Sequence, residues 1–129
     1  MRLSLFAAIL AGIACGALPS RAAPVSQDAF LLRGTGDLVL LCGAEPSDPL
    51  YTAAQNFCHG FAVGTYRLAA QAEDATRSKS KLFCLPPTPP NRSAAVSAFV
   101  QWAAARDDIL ALPPADGLLR FMADRFPCK

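Results

Sequence analysis

Four cysteines, Cys42, Cys58, Cys84 and Cys128, constrain this chain more than any other feature, because an N-terminal export signal decides what they become. Arg2 precedes an apolar stretch from Leu3 to Leu18, and Ser20-Arg21-Ala22 offers small residues at the spacing a signal peptidase reads. Residues 1–22 are therefore expected to be a cleaved signal, leaving residues 23–129 as the mature domain. Gly12, Gly16 and Pro19 interrupt the apolar run, which falls short of the roughly 20 residues a permanent span needs. Cys15 leaves with the signal. It could instead be acylated in a lipoprotein, but Gly12-Ile13-Ala14 lacks the leucine such a site uses three places earlier. An even set of four cysteines in an oxidising compartment predicts two disulfides.

A domain of this size buries only a modest core, and each bridge adds on the order of 2 to 4 kcal/mol by restricting the unfolded chain. Zinc is disfavoured, since no two of the cysteines form a close pair of zinc-ribbon type. Loss of Arg2 and Arg21 brings the twelve basic residues down to ten, level with the ten acids. The mature chain is then formally neutral, with no basic field that would suit nucleic acid or an anionic membrane.

Helix signals account for most of residues 30–128. Thr35 caps a first helix to about Gly43, with Asp37 favouring its N-terminal dipole and Leu38, Val39, Leu41 and Cys42 giving apolar surface. Phe30-Leu31-Leu32 can add a short lead-in helix. Ser47 or Asp48 before Pro49 starts the second helix, about Leu50 to Ala72. Phe57, Phe61, Gly64 and Leu68 recur there at helical spacing as one stripe, with Cys58 on its flank and His59 and Tyr66 together on the opposite face. A helix apolar on most sides is either central to its domain or half covered by a partner. Gly60 and Gly64, four apart, point to tight packing within the chain, with a dimer contact as the alternative.

Glu73 to Lys81 is polar, carries Arg77, Lys79 and Lys81, and runs through Cys84 into Leu85-Pro86-Pro87-Thr88-Pro89-Pro90, a long connection for so small a domain. Ser93 caps a third helix to about Arg106, with Val96, Phe99, Val100 and Ala103 inward and Trp102 at the edge. Asp107 to Pro113 reads as a connection. Pro114 to Arg125 forms a fourth helix, with Asp116 in its first turn and Leu118, Phe121 and Met122 inward, stopped by Pro127. The expected fold is all-α, a small four- to five-helix domain stapled by two disulfides.

Little in the chain suggests chemistry. His59 is its single histidine, and Cys58 beside it points about 100° away on a helix. The acid pairs Glu73-Asp74 and Asp107-Asp108 lie in polar connections, where nothing raises one pKa for acid catalysis. Arg33-Gly34-Thr35-Gly36 lacks the lysine and the spacing of a phosphate loop. We therefore expect neither a catalytic site nor a cofactor nor a bound metal.

The cysteine frame, with Gly36-Asp37-Leu38-Val39-Leu40-Leu41-Cys42, Phe57-Cys58-His59-Gly60-Phe61-Ala62-Val63-Gly64, Cys84-Leu85-Pro86, Leu112-Pro113-Pro114-Ala115 and Phe126-Pro127-Cys128, resembles the Rap/Tai family of periplasmic immunity proteins. Those proteins neutralise peptidoglycan amidases delivered by type VI secretion. The chain departs from the family pattern at Phe61, where tyrosine is usual, and in Gln71 to Phe83. The resemblance implies a periplasmic, often homodimeric protein that occludes an enzyme's groove and catalyses nothing. His59, Tyr66, Arg77, Lys79 and Lys81 are the candidate partner interface. A small periplasmic acid-stress chaperone and an orphan envelope-associated domain are the rival readings. Four cysteines allow three pairings. Cys42 and Cys58 lie about equally far from the loop near Leu50, so an antiparallel helix pair would join them and leave Cys84 with Cys128.

Overall fold

In the computed structural model, which describes residues 23–76 and 81–129, the chain is helical and no strand occurs among the described residues. The proposed signal, residues 1–22, lies outside them. A single 3-10 turn, Gln27–Leu31, leads into α1 (Thr35–Cys42), α2 (Tyr51–Thr76), α3 (Arg92–Ala104), α4 (Asp107–Leu110) and α5 (Pro114–Arg125). The bridges are Cys42–Cys58 and Cys84–Cys128, the pairing that an antiparallel α1 and α2 favour.

The centre of the domain is α1, which touches the 3-10 turn and all four other helices. Eight residues make a helix too short to persist alone, so its stability comes from what surrounds it. Leu38 and Leu41 have no exposed surface. Leu38 belongs to the larger core, with Phe99, Ile109, Leu118, Phe121 and Met122. Leu41 joins a smaller cluster under the N-terminal turn with Val25, Ala29 and Ala54.

At the start of α1, Thr35 is fully buried and is the first helical residue rather than the cap, a place taken by Gly34. Its hydroxyl donates to the carbonyls of Leu112 (2.9 Å) and Pro113 (3.1 Å), and its N–H donates to Leu112 O (2.8 Å). These bonds tie α1 to the entry of α5, where Gly117 leaves the space the crossing needs. A Cβ at Gly117 would lie 2.9 Å from Thr35 Cβ and nearer still to its Oγ1 and Cγ2.

The rotation of α2 differs from the sequence expectation. Ala54 and Cys58 are fully buried, and the inward line continues through half-buried Ala62, Tyr66 and Ala69. Of the stripe Phe57, Phe61, Gly64 and Leu68, only Phe61 packs on the core, while Leu68 is 69% exposed. The bridge to Cys42 explains this, because it turns the Cys58 side toward α1 and swings the aromatic line about 100° away. Phe57 finds an edge contact with Phe30 at 5.5 Å. Among the described residues nothing packs closely on Gly60 or Gly64, for a Cβ at either meets nothing within 4 Å.

Other boundaries shift for local reasons. Asp48 starts α2: its carboxylate accepts from Leu50 N and Val25 N, both at 2.7 Å, so one side chain orders the turn and fastens the N-terminal segment. The second helix continues to Thr76, so Glu73 to Thr76 are helical and the polar connection begins later than the sequence suggests. Glu73 accepts from Leu82 N at 2.7 Å, joining the end of α2 to the segment beyond. Asn91 rather than Ser93 caps α3, its side chain accepting from Ala94 N at 2.8 Å. Asp107 to Leu110 forms one turn of helix with Ile109 buried, where a connection is expected from the sequence.

Candidate binding surfaces

Two recesses run along the seam between α2 and α3, and Cys42 and Val96 line both. His59 is half-buried in the first, a cleft of about 370 Å³. Tyr51, Gln55, Ser97 and Gln101 face the same space, so it offers hydrogen-bonding groups, and no Asp, Glu, Lys or Arg lines it. Gln55 already donates its amide to Cys42 O at 3.0 Å.

Tyr66 lines the second recess, of about 240 Å³, whose walls are otherwise almost wholly apolar. Leu38, Phe99, Phe121 and Met122 face it from the core, and Leu85, Pro89 and Pro90 from the proline-rich segment. The ring of Tyr66 sits 5.8 Å from that of buried Phe83. His59 and Tyr66, expected as an outward pair, are thus both half-buried toward α3 and open into different recesses. Lys81 is exposed; Arg77 and Lys79 lie outside the described residues.

The proline-rich segment is held at both the backbone and the side chain. Cys84 donates its N–H to Phe126 O at 2.7 Å and is bridged to Cys128, so the segment lies against the end of α5. Between them is an open groove edged by Arg125 and Lys129. On the other side of α5, Trp102 donates its indole N–H to Asp124 at 2.7 Å, and the Arg106 guanidinium lies 4.2 Å over the indole ring and 3.8 Å from the same carboxylate. Sequence reading missed this latch, because Trp102 and Arg106, four residues apart, find their common partner Asp124 on α5. Among the described residues no group of three His, Cys, Asp or Glu is placed to hold a metal ion. No helix among them is long and apolar enough to cross a membrane.

The described residues thus form a small helical scaffold, stapled twice and indented along one helix seam. Residues 34–128 match the family model of the Rap1a immunity proteins, and the chain belongs to that family. Membership implies that the chain is a toxin-binding immunity protein and not itself an enzyme. No curated protein and no solved structure matches the chain.

Proposed function

We propose that this protein is exported to the periplasm, loses residues 1–22, and there binds a peptidoglycan amidase toxin so that the toxin's groove is closed to substrate. The family match across residues 34–128 carries the reading. Two supports come from the chain itself. Its two disulfides suit an oxidising compartment, and the leader-like segment would deliver it there. The toxin-facing surface is assigned to the cleft around His59 together with the segment through Lys81. A second copy of the chain is assigned to the opposite side of α2, where Gly60, Gly64 and Leu68 are exposed and Phe57 is partly covered by Phe30.

The test is direct inhibition. The mature, oxidised protein is added to a purified amidase encoded beside it, and release of peptides from cell-wall sacculi is followed. Loss of activity at one immunity chain per enzyme is expected, with His59→Glu weakening it. An amidase of full activity in a stable complex would refute occlusion, and no complex at all would remove the amidase as partner. Light scattering of the mature protein reads the dimer independently, and Gly64→Glu is expected to give monomers.

A further inference from the structure

The apolar recess under the proline-rich segment has features that toxin binding does not call on. Its volume of about 240 Å³ exceeds the roughly 150 Å³ that suffices, in an apolar protein cavity, to hold a benzene molecule. Protein cores are close-packed, and space bounded by Leu38, Phe99, Phe121 and Met122 forgoes contacts that an apolar occupant would restore. A single side chain among those lining it is charged, that of Arg92, which is exposed at the start of α3; Tyr66 supplies its one hydroxyl. Among the described residues no carboxylate lies within ion-pair distance of Arg92, as is also so of Arg67, Arg120 and Arg125; what sets Arg92 apart from them is its place on the wall of the recess. An apolar chamber with one unpaired guanidinium at its edge is complementary to a molecule with an apolar tail and an anionic head.

We propose that this recess binds a single-chain amphipathic carboxylate, its tail lying among Phe99, Phe121 and Met122 and its head held by Arg92. The proline-rich segment forms the outer wall, so the ligand lies between that segment and the helices. The recess adjoins the proposed toxin-facing cleft and shares Cys42 and Val96 with it, but its occupancy is read without a toxin, so either reading survives the failure of the other.

Trp102 reports on the site. It is the only tryptophan, and its ring packs edge-on at 5.6 Å against that of Phe121, which lines the recess. The full oxidised protein is titrated with dodecanoate below its micelle concentration, following Trp102 fluorescence, with calorimetry for stoichiometry. Saturable binding of one molecule per chain is expected. Arg92→Gln should weaken dodecanoate about tenfold, the size of one charge-assisted contact, and leave uncharged dodecanol unaffected. Ala62→Phe and Ala95→Phe, each placed to fill the space and each checked for fold by circular dichroism, should abolish binding of both. No saturable signal would overturn the proposal. Several molecules per chain, or binding indifferent to the filling variants, would mean adsorption elsewhere and overturn it too. Equal affinity for dodecanoate and dodecanol would remove Arg92 as the head-group contact and with it the assignment of an anion.

Discussion

At the residue scale the crossing of α1 and α5 sets the sharpest demands. Gly117→Ala places a methyl where Thr35 already stands, so one element must move, and overpacking of this kind costs about 1 to 3 kcal/mol. Thr35→Val should cost less. The carbonyls that lose its hydroxyl each keep a backbone donor, Leu112 O from Thr35 N and Pro113 O from Gly117 N. The single hydroxyl proton is shared between the two carbonyls, so the loss is that of one ordinary hydrogen bond, about 0.5 to 1.5 kcal/mol, without the larger penalty of stranding a buried acceptor. Urea unfolding of the two variants checks the order, which reverses if α5 can shift freely. Asp48→Ala removes the acceptor of two N–H groups at once and should speed amide exchange at Val25 and Leu50 with little change in the core. Asp48 was legible as a start signal. Gly117 was not, since its requirement comes from a residue distant in sequence.

At the scale of elements, periodicity gave helices but not always which way they face. The spans of α1 and α5 follow closely from their terminal residues, and α2 follows from its spacing. The aromatic line of α2 pointed to the wrong buried face because two apolar lines run along that helix, and only the bridge to Cys42 chooses between them. Leu68→Lys should therefore change stability by less than about 0.5 kcal/mol, as at an ordinary surface position. Ala62→Asp, on the line that packs against the core, should cost several times more. Thermal melts of the pair test the rotation, and equal effects would refute it. The recesses were not legible, because they are spaces between elements rather than properties of any one. Single-turn α4 was read as a connection for the related reason that four residues carry no period.

For the whole molecule, the arrangement around α1 makes the two bridges unlike in exposure and alike in importance. Chain-entropy arguments give about 3 kcal/mol for closing a loop of 16 residues and about 4 kcal/mol for one of 44, against a total stability of about 5 to 15 kcal/mol for a domain. Cys58 is wholly buried, whereas Cys84 and Cys128 are exposed. A mild reductant should open the C-terminal bridge first, because exchange needs access to sulfur. Alkylation followed by mass spectrometry reads the order, and prior labelling of Cys42 and Cys58 would contradict it. Helix signals along the chain and the cysteine count carried the all-α, doubly stapled design at this scale. The central place of the short α1 was hidden, since its neighbours arrive from the whole length of the chain.

The pairing also has a temporal meaning. Each bridge joins neighbours among Cys42, Cys58, Cys84 and Cys128, and the two closed loops neither overlap nor nest. For a chain threaded N-terminus first into an oxidising space, an oxidase that couples thiols in order of emergence makes the native bonds at the first attempt. Cys42 meets Cys58 before Cys84 has arrived, and Cys84 then has only Cys128 to take. Such a protein can mature without an isomerase to reshuffle its sulfurs.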